Sequence, residues 1–319
     1  MRKLAFVRVL LLSLAVFGIL AHGQAQPRSE VLAPSGLADR IRAGEMGFRP
    51  PPQDAIQPGP YGEMVRLGRD IFNETGQYAR PFVGDALRCS SCHLDAGRLA
   101  GASPLWAAWV AFPEYRAKNE HVNTFAERLQ GCFRFSMNGK PPPLGDKVIV
   151  ALESYSAWLA QGAPVGADMP GRGYPKLAKP GSQADYGRGQ TVYASKCALC
   201  HGPDGQGQLT DGQVVFPPLW GNQSYNWGAG MEMVDTAAAF IKANMPLGLG
   251  GTLSDQDSWD VALFMNSHER PQDPRFTGSV AETRQKFHHS PWSMYGQTVA
   301  GHLLGSTSVP GGGSTQREE

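Results

Sequence analysis

Two short stretches carry residues that can do covalent chemistry: CSSCH at 89–93 and CALCH at 197–201. In each, two residues separate a pair of cysteines, and a histidine follows the second. Thiols at that spacing can add to the vinyl groups of a haem, and the adjacent histidine then falls beneath the iron as its proximal ligand. Four thiolates could instead hold zinc, but the pairs lie in opposite halves of the chain and each is followed directly by a histidine. A thioredoxin-like redox pair needs a βαβ context, which the sequence lacks. The expectation is two covalently bound haem c groups. One sits on Cys89, Cys92 and His93, the other on Cys197, Cys200 and His201.

Each iron has a sixth position to fill. In the second half, Met245 lies in IKANMPLGLGG, a Pro/Gly-rich loop that can bring a thioether over a haem face. Met265 falls inside an expected helix, and Met231 and Met233 read as packing or surface residues. Met245 is therefore the expected ligand, and His/Met ligation raises a haem's potential. Lys242, close by, is a possible replacement. In the first half the equivalent loop reads RLQGCFRFSMNGKPPPLG. By spacing alone Met137 is the natural ligand, because it follows His93 at the interval at which Met245 follows His201. Cys132 would then be a small buried hydrophobe. It is also the fifth of five cysteines and has no partner for a disulfide. An unpaired thiol beside a haem in an exported protein is prone to oxidation unless it is held, and iron would hold it as thiolate. Around it Arg116, Lys118, Arg128, Arg134 and Lys140 outnumber Glu114, Glu120 and Glu127. Guanidinium forks bind oxyanions in bidentate fashion, so the loop suits a sulfur oxyanion better than a plain electron carrier requires.

Helices must position these loops. YGEMVRLGRDIFNET precedes the first motif and ADYGRGQTVYASK the second, both with Gly-Arg and apolar positions at helical spacing. After each motif comes an amphipathic segment, DKVIVALESYSAWLAQG at 146–162 and LSDQDSWDVALFMNSHERP at 253–271, the latter opening on a Ser254–Asp257 capping pattern. The chain thus repeats entry helix, haem motif, ligand loop and closing helix. The fold class is mainly α, with two tandem cytochrome c-type domains of class I character. They span 26–160 and 184–277 and are joined by a Pro/Gly-rich linker at 161–183. Residues 278–319 are a tail whose GGGSTQREE end has little to bury. Trp106 and Trp109, at helical spacing, are expected to pack around the first haem cavity.

The start, MRKLAFVRVLLLSLAVFGILAHGQAQ, has a basic end, an apolar core from Val9 to Leu20 and small residues for cleavage. It reads as a signal peptide over 1–25 that exports the chain to the periplasm, with an uncleaved anchor as the competing reading. No later stretch is apolar and long enough to span a bilayer. A net charge of +1 gives no global attraction to nucleic acid or an anionic surface. With 39 glycines and 25 prolines, the domains are loop-rich.

CSSCHLDAG, PLWAAWVAFPEYR, GCFRFSMNGKP, ANMPLG and NSHERPQDPRF together resemble the thiosulfate dehydrogenases, dihaem cytochromes c that form tetrathionate. The resemblance implies that two thiosulfates are oxidised to tetrathionate, a reaction that can run in reverse. Electrons would pass from the first haem to the second and on to an external acceptor, another cytochrome c or a high-potential redox protein. It implies Cys132 as distal ligand of the catalytic first haem, with His/Met ligation at the second. Arg128 and Ser136 match family active-site positions. A further family arginine falls at Lys118, with Arg116 two residues away. Two other readings stand beside this one. A non-catalytic dihaem electron carrier would use Met137 and Met245. A sulfur-oxidation cytochrome would transfer sulfur to a carrier protein's cysteine. A dihaem peroxidase would need a distal histidine, and His121, the only one in that region, reads as a surface residue. His268, His288 and His289 read as surface residues or weak metal binders.

Overall fold

The computed structural model describes residues 48–210 and 213–307. The expected signal segment and the final GGGSTQREE lie outside the described residues. Helix α1 spans Pro60–Asn73, α2 Leu105–Ala111, α3 Phe125–Gly131 and α4 Lys147–Leu159. In the second half α5 spans Tyr186–Lys196, α6 Val234–Asn244 and α7 Asp255–Asn266, and α8, Val280–Phe287, follows. Several one-turn helices and three short antiparallel ribbons complete the described elements. The ribbons pair β1 (Glu114–Arg116) with β2 (His121–Asn123), β3 (Gln208–Thr210) with β4 (Gln213–Phe216), and β5 (Thr298–Val299) with β6 (His302–Leu303).

The helices start where the sequence offers caps. Asp146 Oδ1 accepts from Val148 N at 2.8 Å, and Ser254 Oγ from Asp257 N at 3.0 Å, as its capping pattern predicts. Thr124 and Glu127 form a reciprocal capping box at the head of α3.

In each half the entry helix crosses the closing helix at a glycine. A Cβ on Gly68 of α1 would overlap the Ala151 carbonyl and the Tyr155 Cβ of α4; one on Gly189 of α5 would overlap the Asp260 carbonyl and the Phe264 Cβ of α7. The repeat is therefore real, but its register differs from the Gly-Arg alignment. Gly68 corresponds to Gly189, not to Gly187. Around the first crossing lies a core that includes Ile71, Phe72, Trp106, Phe133, Leu152 and Tyr155. Around the second lie Tyr193, Trp220, Phe240, Trp259 and Phe264.

The segment 161–183 is a fastened strap as well as a connector. Met169 is buried in the first core. Gly171 O and Gly173 O accept from Gly101 N and Ser103 N, each at 2.8 Å. Farther along, Trp259 Nε1 donates to Ala178 O at 2.8 Å. The described part of the tail is also folded. Tyr295 and Leu304 pack on Trp227, and buried His288 lies 2.9 Å from Asp273 and 3.3 Å from Glu232. That removes His288 from the surface role its sequence context suggests.

Replacing Gly by Ala inside a helix ordinarily stabilises it. At these crossings the sign reverses, because the added carbon meets backbone that cannot yield. Gly68→Ala and Gly189→Ala should each destabilise by about 1–3 kcal/mol. Denaturant unfolding would show a lower midpoint at unchanged slope; a raised midpoint would contradict the crossing.

Candidate functional site

The first motif sits on a tight turn behind α1. Buried Thr75 fixes it by accepting from Cys89 N at 3.1 Å. Burial pushes the Cys89 and Cys92 thiols up to about 12. His93 Nδ1 lies 2.6 Å from Ser103 O. A carbonyl only accepts, so Nδ1 carries the proton and Nε2 keeps its lone pair for a metal. Burial first, with Arg128 adding, lowers His93 to about 4, which keeps the ring neutral. The second motif repeats this: His201 Nδ1 lies 2.9 Å from Pro217 O, and burial lowers that histidine too.

A cavity of about 380 Å³ opens over the first motif, lined by Cys89, Cys92, His93, Arg128, Cys132, Ser136 and Met137 among others. One of about 250 Å³ opens over the second, lined by Cys197, Cys200, His201 and Met245. In each, two thiols, an oriented imidazole and at least one further sulfur-bearing side chain line the same cavity. That donor set fits a c-type haem. Leu87, Arg88, Cys92 and Met231 line both cavities, so the two sites share a wall.

The distal side of the first cavity is made where α3 runs into a π-helical turn, Cys132–Ser136. Such turns re-aim side chains and recur at functional sites. Here the turn presents Cys132, with Ser136 and Met137 beside it, all lining the cavity. Arg128, one helical turn before Cys132, donates from Nη1 to its Sγ at 2.8 Å. Arg116, on β1, also lines this cavity, with its guanidinium 3.6 Å from Glu114.

Lys118 does not reach this cavity. Its Nζ donates to Gly228 O and lies 3.9 Å from the Phe135 ring centroid. Of the two cations, Arg116 lines the cavity. Neither Trp106 nor Trp109 lines the cavity. Trp106 packs on Phe48 and donates to Arg98 O, and Trp109 stands edge-on to Phe125, one layer behind. His121 is on the surface, near Asn123 and Glu127. Sequence reasoning missed Arg172 and Tyr174, which line the cavity from the strap. The only signal was an arginine and a tyrosine within a Pro/Gly-rich connector.

In the second cavity Met245 faces inward from the loop after α6, and Met231 and Met265 line it too. Met231 is a packing residue, as expected, set against both cores, and it also walls both cavities. Lys242 is committed elsewhere, with its Nζ on Leu253 O at 2.6 Å and on Asp255 at 2.9 Å.

Residues 184–265 match the family of cytochrome c oxidase, cbb3-type, subunit III. The chain is 56% identical over 286 residues to the thiosulfate dehydrogenase of Thiomonas intermedia, covering 90% of this chain and 89% of the relative. It is 50% identical over 301 residues to that of Stutzerimonas stutzeri, covering 94% and 97%. Among solved structures it resembles the thiosulfate dehydrogenase TsdBA of Marichromatium purpuratum in its "as isolated" form, with a TM-score of 0.79 and 55% identity. That match covers 82% of this chain, which spans 58% of the solved one.

The position of Lys118 makes a pH prediction. Burial first, then Arg275, lowers its pKa from 10.5 to about 8; Arg128 adds to the shift, and Asp273 and Glu232 oppose it. Between those values the unfolded chain holds a proton that the folded chain has released, so the Lys118 contribution to stability rises with pH. Denaturant unfolding of wild type and Lys118→Met at about pH 7 and about pH 9.5 tests this. The difference should move in favour of wild type at the higher pH; a pH-independent difference would contradict it.

Proposed function

The chain belongs to the thiosulfate dehydrogenase family, and from that premise we propose that it is a periplasmic dihaem cytochrome c that oxidises two thiosulfates to tetrathionate. The outer sulfurs of two thiosulfate dianions form one S–S bond, and two electrons leave. No proton needs to move, so the reaction asks the protein for no general acid or base. It asks for sites that overcome the repulsion of two dianions, and for an exit for electrons. When bound, the two haems supply that exit, from the first cavity to the second and on to an external redox protein. The wall shared by the cavities supports this order.

Cys89, Cys92 and His93 would hold the first haem, with Cys132 as its distal ligand. Cys197, Cys200, His201 and Met245 would hold the second. The observation that carries the reading is the Arg128–Cys132 contact, 2.8 Å from guanidinium to sulfur. Arg128 also offers its remaining donors to a sulfonate approaching the same sulfur. Arg116 adds a second cation on the same cavity, and Ser136 a hydroxyl. By contrast, the second cavity is walled largely by apolar side chains around Met245, which suits a relay that binds no anion.

One observation favours the plain electron carrier. Met137 is 3% exposed and lines the first cavity beside Cys132. Turnover separates the two readings. The protein with a high-potential acceptor should consume two thiosulfates per tetrathionate formed, and Cys132→Ala should abolish this. Arg128→Gln should lower kcat/KM by about tenfold to a thousandfold, the loss of a charge-assisted contact at the reacting sulfur. Reduction of both haems by thiosulfate without tetrathionate formation, or full activity in Cys132→Ala, would reject the reading.

A further inference from the structure

The first cavity holds more positive charge than Arg128 and Arg116 provide. Arg172 lines it from the strap between the two domains. The backbone there leaves little freedom. Arg172 N donates to Met169 O at 3.0 Å, and the flanking carbonyls of Gly171 and Gly173 are tied to Gly101 N and Ser103 N, each at 2.8 Å. Gly171 has φ of +82°, and a side chain there would meet Ala100. Ser103 links the strap to the proximal side, because its carbonyl is the one that orients His93.

The side chain is held as firmly at one end and is unused at the other. Nη2 reaches both oxygens of Glu114, at 2.7 and 2.8 Å. The same carboxylate lies 3.6 Å from Arg116. Glu114 thus sets two guanidiniums side by side on one cavity. Among the described residues, Nε and Nη1 of Arg172 donate no hydrogen bond; Nη1 lies 3.8 Å from the largely exposed Asp168. Arg88, which also lines the cavity, likewise commits one nitrogen, Nη1, to a carboxylate, that of Glu74 at 3.0 Å.

Four guanidiniums line the cavity; Arg88 is paired with Glu74, and Arg116 and Arg172 share Glu114, so the wall carries an excess of positive charge. One thiosulfate beside Cys132 and Arg128 would leave the others in search of an anion. Their charge is what a second dianion needs before it can approach the first, since like charges in a partly desolvated site repel strongly.

We infer that Arg172, positioned by Glu114 and the strap, is a third substrate-binding guanidinium that takes the sulfonate of the second thiosulfate through its free Nη1 and Nε donors. This rests on the proposed thiosulfate chemistry and names a residue for its bimolecular step. It also gives the connector a function, because the segment that joins the two domains completes the anion site.

The test compares Arg172→Gln and Arg172→Lys with wild type, each checked for full haem content. In steady-state assays Arg172→Gln should raise KM for thiosulfate by about tenfold to a hundredfold, as expected for a lost charge-assisted hydrogen bond, and lower kcat less. Arg172→Lys keeps the charge and the Glu114 pair and should recover part of the loss. The spectrum and reduction potential of the first haem should stay as in wild type. Wild-type KM in Arg172→Gln would overturn the inference. So would a KM unchanged beside a shifted first-haem potential, which would assign Arg172 to a haem propionate. Titration calorimetry with thiosulfate on the fully reduced protein, which cannot oxidise it, reads binding without turnover. Weaker binding there in Arg172→Gln supports the anion site even if wild type forms no tetrathionate, an outcome that would reject the reaction alone.

Discussion

A guanidinium set against a sulfur, Arg128 on Cys132, is the contact around which the first cavity is arranged. It depends on helical geometry, since one turn separates the two residues and α3 is capped at its start by Thr124 and Glu127. It depends also on the π-helical turn that follows, which swings Cys132, Ser136 and Met137 toward one space. A spare thiol is open to oxidation unless something holds it. A cation at hydrogen-bond distance is one such hold; the iron of a haem held by Cys89, Cys92 and His93 would be another.

The two domains share one frame and differ in what they place on the distal side. In both, a glycine lets the entry helix lie against the closing helix, and a backbone carbonyl orients the proximal histidine. Those features serve a haem and are indifferent to substrate. The difference begins beyond them. The first domain inserts β1 and β2, which bring Arg116 to the cavity with Glu114 beside it, and the strap brings Arg172. In the second, a loop brings a methionine into largely apolar surroundings. One domain therefore has the electrostatics to gather dianions, and the other the neutrality of a relay.

Much of this was legible in the sequence because the chemistry is local. Two CxxCH motifs fix thiols and histidine by spacing alone. Helical periodicity marked α1, α4, α5 and α7, and the Ser254 cap formed as written. Local reasoning failed where a side chain's destination depends on the fold. Lys118 and Arg116 are two apart in sequence, yet Lys118 turns to Gly228 in the second half of the chain while Arg116 faces the cavity. Trp106 has helical spacing, but the periodicity does not say which buried face it serves. Arg172 was hidden because Pro/Gly composition suggests a connector, and composition carries no information about what a connector touches. His288 looked peripheral because the carboxylates that bury it, Asp273 and Glu232, come from elsewhere in the chain.

Low-temperature EPR of the oxidised protein, wild type against Cys132→Ala, addresses the central claim most directly. The account predicts a low-spin signal of histidine/thiolate type from one haem, lost in the variant, beside a histidine/methionine signal that persists in both. Identical histidine/methionine signals in wild type and variant would contradict it, and would make Met137 the distal ligand and the first cavity an electron-transfer site.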